Sequence, residues 1–160
     1  MGTYRIAAIP GDGIGKEVIA AGCRVLEHLA QHKSGLSIEF ETLPWGSDQY
    51  LETGEMMPED ALDTLRNFDS IFFGSADDPR VPDHISLWKL RLAICQGLDQ
   101  YANIRPTKLL PGLSSTLKNG TPETIDWFIV RENSEGEYSG AGPGGAYNRT
   151  CPTESGLMSR

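Results

Sequence analysis

What most constrains this chain is its opening. A short apolar run, Tyr4–Pro10, meets the turn Gly11-Asp12-Gly13-Ile14-Gly15, and a long stretch of helical periodicity follows. From about Lys16 to His32 the apolar positions Val18, Ile19, Cys23, Val25, Leu26, Leu29 and Ala30 recur at spacings of three and four, as on one face of a helix. Ser34-Gly35 ends that helix, and Leu36 to Leu43 alternates loosely as a strand closed by Pro44. Pro58 starts a helix running to about Arg66, with Ala61, Leu62 and Leu65 turned inward. Asp69 to Gly74 is apolar throughout, as a buried parallel strand would be. A loop rich in proline and aspartate, Ala76 to Pro82, precedes a helix capped by Asp83 or Ser86 and reaching about Asp99. Strand and helix therefore alternate over the first hundred residues, which predicts an α/β doubly wound layer.

After Gln100 the pattern changes to extended segments, turns and glycines without helical periodicity. The expected division is a first domain over 1–100 and the start of a second over 101–160. The crossing falls near Gln100–Pro106, and Gly140–Ala146 reads as a flexible loop or arm.

Charge and cysteine content narrow the function classes. A net charge of −8 argues against nucleic acid or an anionic membrane as partner. No apolar run approaches the ~20 residues of a bilayer span. Cys23, Cys95 and Cys151 are odd in number and scattered, which points to a reducing cytoplasm rather than a disulfide scaffold or structural zinc. His28 and His32 share a helix face but lack a third ligand nearby, so they read as solvated.

Three residues carry candidate chemistry. Arg105 closes the extended run Tyr101-Ala102-Asn103-Ile104-Arg105-Pro106. Arg131 closes the strand Ile125 to Arg131, and Tyr138 follows seven positions later, within Val130-Arg131-Glu132-Asn133-Ser134-Glu135-Gly136-Glu137-Tyr138-Ser139-Gly140. Two forked guanidiniums and a phenol suit a small dicarboxylate and a carbanion-like centre that needs a proton. The plainer readings are a strand end before Pro106 for Arg105 and a packed aromatic for Tyr138. The glycine turn likewise has two readings. It is a tight strand-to-helix turn, or a phosphate-approaching loop whose G-x-G-x-G spacing and Asp12 fit an ordinary Rossmann site poorly.

Taken together, Ile9-Pro10-Gly11-Asp12-Gly13-Ile14-Gly15-Lys16-Glu17 and the Arg105 and Arg131–Tyr138 segments resemble the β-decarboxylating dehydrogenases of isopropylmalate, isocitrate, tartrate and D-malate. Pro44-Trp45-Gly46-Ser47-Asp48, Thr53-Gly54-Glu55-Met56-Met57-Pro58-Glu59-Asp60 and Val81-Pro82-Asp83-His84-Ile85-Ser86-Leu87-Trp88 resemble the tartrate and D-malate branch. The resemblance implies an isopropylmalate-dehydrogenase-like fold and a homodimer built through an arm. It implies oxidation of a 2-hydroxy acid by NAD, followed by loss of a β-carboxylate, with Mg2+ or Mn2+ chelating the substrate. Arg105 and Arg131 would grip carboxylates, Tyr138 would protonate the enol carbon, and Gly13, Ile14 and Gly15 would lie near the cofactor. The substrate would be D-malate- or tartrate-like, with isopropylmalate as a further member of the class.

The chain departs from the family pattern in two places. An arginine usual ten positions before Arg105 is Cys95 here, and Arg91 lies one helical turn before it. Arg91 either replaces the missing cation or simply packs its stem along the helix. The family's catalytic lysine, metal-binding aspartates and main adenosine-binding loop lie further on and have no counterpart in these residues, so no metal ligand is assigned. Asp77-Asp78 reads as a turn. The alternative to an enzyme half is a non-catalytic remnant that binds a ligand or a partner through exposed surface.

Overall fold

The computed structural model describes residues 2–133, and Tyr138 and the arm expected over 138–160 lie outside the described residues. Two compact units divide the chain, 1–98 and 99–160.

Unit one is an α/β layer, as the alternation of elements predicts. Strand β1 (Gly2–Gly11) lies between β2 (Leu36–Thr42) and β3 (Ser70–Ser75), both parallel to it. Parallel neighbours need crossovers. The first is α1 (Gly15–His32), and the second contains α2 (Ser47–Thr53) and α3 (Ala61–Leu65). Because side chains alternate across a strand, β1 serves two layers. Ala7 and Ile9 join Leu43, Trp45, Met56, Ala61, Leu65, Leu90 and Ile94 in one buried cluster, with Ile71 and Phe73 of β3 packed against it. Phe72 points to the opposite face, where its ring stands so close to Gly22 of α1 that a Cβ there would meet it at 2.6 Å.

Four differences from the sequence reading stand out. Helix α2 was not expected, and α3 begins at Ala61 because Pro58 starts a turn, with the Ala61 N–H donating to the Pro58 carbonyl at 3.1 Å. The helix expected over 83–99 is built in three pieces, α4 (Asp83–Ser86), a π-helical turn (Leu87–Leu92) and α5 (Ala93–Gly97). Apolar β3 is parallel as expected but only half-buried, since it forms an edge of the described sheet.

In unit two, β4 (Ala102–Lys108) and β5 (Asp126–Glu132) pair antiparallel. Lys108 and Asp126 face each other at one end of the ladder and form an ion pair at 2.7 Å.

Candidate functional site

The register of β4 and β5 sets the geometry of the two predicted arginines. Asn103 lies opposite Arg131, and Arg105 lies opposite Ile129. Directly opposed residues share a face, as do residues two apart along a strand. Arg105 and Arg131 are therefore diagonal neighbours on one face, about 7–8 Å apart at the backbone by the usual sheet spacing. Asn103 lies between them in the pattern, and its Oδ1 accepts from Arg105 Nε at 3.2 Å. The opposite face carries Ala102, Ile104, Pro106, Phe128 and Val130, of which Phe128 is 73% exposed. The arginine-bearing face also carries Ile129 and Trp127, while the opposite face is apolar in its middle and charged at its ends, where Glu132, Lys108 and Asp126 lie.

In unit one the carboxyl ends of the parallel strands form the other candidate surface. Open α/β sheets bind ligands at such ends, where successive crossovers diverge to opposite faces. Here that point lies between β1 and β3. Gly11 has φ +65°, and a Cβ on it would stand 1.9 Å from the Ser75 carbonyl oxygen, so only glycine fits. Gly13 (φ +49°) is exposed, and Ile14 is 69% exposed at the start of α1. Gly15 is buried, packed where a Cβ would strike the Pro10 carbonyl and the Ser75 amide. Of the predicted cofactor residues, Gly13 and Ile14 form the crest, and Gly15 allows the helix to approach the sheet.

Asp12 does not place its charge on that crest. It is 2% exposed and turned inward, where Oδ1 accepts from the Ser47 backbone N–H at 2.7 Å and Oδ2 from the Ser47 hydroxyl at 2.8 Å. The carboxylate caps α2 from a distant part of the chain, at a terminus that favours negative charge.

Around the crest runs an ionic network that sequence reasoning missed. Asp48 of α2 accepts from Lys16 of α1 at 2.5 Å and from Arg80 at 2.6 Å, and Arg80 also clasps both oxygens of Asp78. The Arg80 side chain and backbone N–H together hold the Asp78 carboxyl down to a pKa of about 2. Hydrogen bonds from Lys16 and then Arg80 lower that of Asp48. Asp78 is the turn residue that the sequence suggested, and its carbonyl accepts from the Val81 N–H at 2.9 Å. Beside the network a cleft of about 240 Å³ is lined by Pro10, Gly11, Lys16, Thr42, Pro44 and Trp45, among others.

Arg91 is half-buried at the end of the π-helical turn. It lies close enough to Cys95 for its charge to pull the thiol pKa down against the upward push of burial, which is the larger effect. Among the described residues no three His, Cys, Asp or Glu side chains are grouped to hold a metal ion. No described helix is long and apolar enough to cross a membrane.

The chain is 60% identical over 156 residues to a probable tartrate dehydrogenase/decarboxylase of Agrobacterium vitis, covering 98% of this chain and 43% of the relative. It is 49% identical over 144 residues to the decarboxylating D-malate dehydrogenase of Escherichia coli, covering 89% of this chain and 40% of the relative. A solved β-decarboxylating dehydrogenase from Thermococcus kodakarensis superposes with a TM-score of 0.54 at 34% identity, over 83% of this chain and 35% of that one. The chain thus spans about two-fifths of the length of these curated relatives. The isocitrate/isopropylmalate dehydrogenase profile matches residues 5–155, nearly the whole length, and the chain belongs to that family.

Proposed function

We propose that this chain serves in the NAD-dependent oxidation, with decarboxylation, of a small 2-hydroxy diacid of the D-malate or tartrate type. The single observation that carries the reading is the pairing of Arg105 and Arg131 on one face of β4–β5, against a backdrop of relatives that act on such diacids. Two guanidiniums at that spacing suit the separate carboxylates of a compact diacid. In this reading Arg91 would supply the charge of the arginine absent at Cys95. It discriminates against the branched alkyl group of an isopropylmalate-like substrate, which remains in the class.

The exposed Gly13–Ile14 crest, with Asp12 turned away from it, suits a dinucleotide. Gly13 and Ile14 would face it, buried Gly15 would let the helix start lie close beneath it, and NAD when bound would supply the hydride acceptor for the substrate's hydroxyl-bearing carbon. That oxidation would also release the hydroxyl proton, which passes to solvent. The β-carboxylate then leaves as carbon dioxide, its bonding electrons staying on carbon, and Tyr138 delivers a proton to that carbon. Among the described residues no cluster of side chains fits the Mg2+ or Mn2+ of this chemistry. In this reading 1–100 is the cofactor-side domain, 101–160 begins the substrate domain and the dimer arm, and the protein works in the cytoplasm as a homodimer.

The test joins this chain to the remaining length of the Agrobacterium vitis relative and follows NAD reduction with D-malate and with tartrate, manganese present. Turnover is expected. Arg131→Lys keeps the charge but loses the fork, and removing one such charged hydrogen bond, about 1.5–3 kcal/mol, raises KM roughly tenfold to a hundredfold. Absence of turnover with any 2-hydroxy diacid would leave the non-catalytic binding module as the better reading. Turnover by the 160 residues alone would overturn the assignment of metal and lysine roles to residues beyond them.

A further inference from the structure

The arginine-bearing face of β4–β5 contains two side-chain amides that the proposed reaction does not use. Asn103 Oδ1 accepts from Arg105 Nε at 3.2 Å, and Asn103 Nδ2 donates to Asn133 Oδ1 at 3.4 Å. Asn133 is 5% exposed and anchored at the end of the ladder, where its backbone N–H donates to the Tyr101 carbonyl at 2.7 Å. Chemistry allows only one sense for this chain of bonds. A guanidinium Nε–H can only donate, so Asn103 must turn its oxygen to Arg105. Its NH2 then faces Asn133, which must answer with oxygen.

The arrangement limits how Arg105 can grip a ligand. A guanidinium can take a carboxylate side-on, through Nε and one Nη, or end-on, through both Nη atoms. With Nε engaged by Asn103, the side-on edge is closed. Among the described residues the two Nη atoms make no hydrogen bond, so the end-on edge is open. We propose that Asn103, locked by Asn133, is a positioning residue that fixes Arg105 to take a substrate carboxylate end-on. The inference rests on the reading of Arg105 as a carboxylate ligand. It adds the direction of the grip and the residues that set it. A guanidinium held in place before the ligand arrives loses less freedom on binding.

The test uses the full 160-residue chain and the NMR signal of the Arg105 Nε–H, identified by its loss in Arg105→Lys, together with titration by D-malate. In the parent chain the Nε–H is expected to be protected from solvent exchange. Asn103→Ala should remove that protection and weaken D-malate binding about tenfold, the loss expected for one hydrogen bond to a charged group. Asn103→Asp keeps an acceptor at the same place and should restore the protected signal, which separates positioning from a damaged strand. An Nε–H that is unprotected in the parent chain, or unchanged in Asn103→Ala, overturns the proposal. Failure of the parent chain to bind D-malate would count against Arg105 as a carboxylate ligand, and the Nε–H comparison would still decide whether Asn103 holds it.

Discussion

Asp12 illustrates how a residue's role depends on where its side chain turns. In sequence it sits in the glycine turn, where its charge would oppose a phosphate. In the fold its carboxylate is buried on Ser47. Removing a buried acceptor of two hydrogen bonds, one of them a helix cap, costs about 1–3 kcal/mol. Asp12→Ala should lower the urea midpoint by that measure, with Asp12→Asn losing less; an unchanged midpoint would contradict the cap. Asp78 gives a prediction in pH. Its carboxyl is held at about 2 against an ordinary 3.8, so its folded pKa lies below its unfolded one. Its contribution to stability is complete above about pH 4 and is lost as pH falls toward 2. The carboxyl carbon of Asp78 should titrate near pH 2 by NMR, and a midpoint near 4 would show that Arg80 does not hold it. Arg105 and Arg131 were singled out in sequence as the closing residues of extended runs, and strand periodicity puts Asn103 on the face of Arg105. The same rule could have singled out Asn103. Lys16 and Arg80 were not legible as partners, because Asp48 joins them from 32 positions away on either side.

Among elements, α1 was the easiest to read. Its eighteen residues keep an apolar spacing of three and four long enough to outweigh local ambiguity, although Val18, Val25 and Leu29 are exposed and only Ile19 of the seven positions is buried. Helix α2 has only seven residues, and its N-terminus is capped from Asp12, 35 positions earlier, so the decisive signal is not local. The π-helical turn was equally hidden, since the sequence shows a helical run but not where its winding widens. The glycine turn was legible as a turn, while its cause is tertiary. Gly11 has to pass the Ser75 carbonyl of β3 in a left-handed conformation. Gly11→Ala should therefore destabilise unit one by at least about 2 kcal/mol, combining the left-handed penalty of about 1–2 kcal/mol with the displaced carbonyl. Thermal unfolding monitored through buried Trp45 would measure it, and an unchanged transition would refute the close approach.

At the scale of the molecule the two units differ in how they are built. Ala7, Ala8 and Ile9 of β1 are fully buried between two helical layers. The two-stranded pair β4–β5 leaves Ile104, Phe128 and Val130 exposed, and a pair of strands with an uncovered apolar face has little to hold it alone. Amide exchange should consequently be at least about a hundredfold slower at Ala7–Ile9 than at Ile104 or Phe128 in the 160-residue chain; equal rates would mean that the apolar face is covered. The layer order of unit one was legible from the alternation of strand and helix, whereas the uncovered face emerges only from the pairing register. A last consequence concerns heredity. Asp12 and Ser47 form a matched lock across separate stretches of the gene. Recombination between diverged copies that cuts before the first or after the second leaves this lock intact, but a crossover between them unites halves shaped in different lineages. Hybrids with that seam should survive only where both parents kept the same two residues.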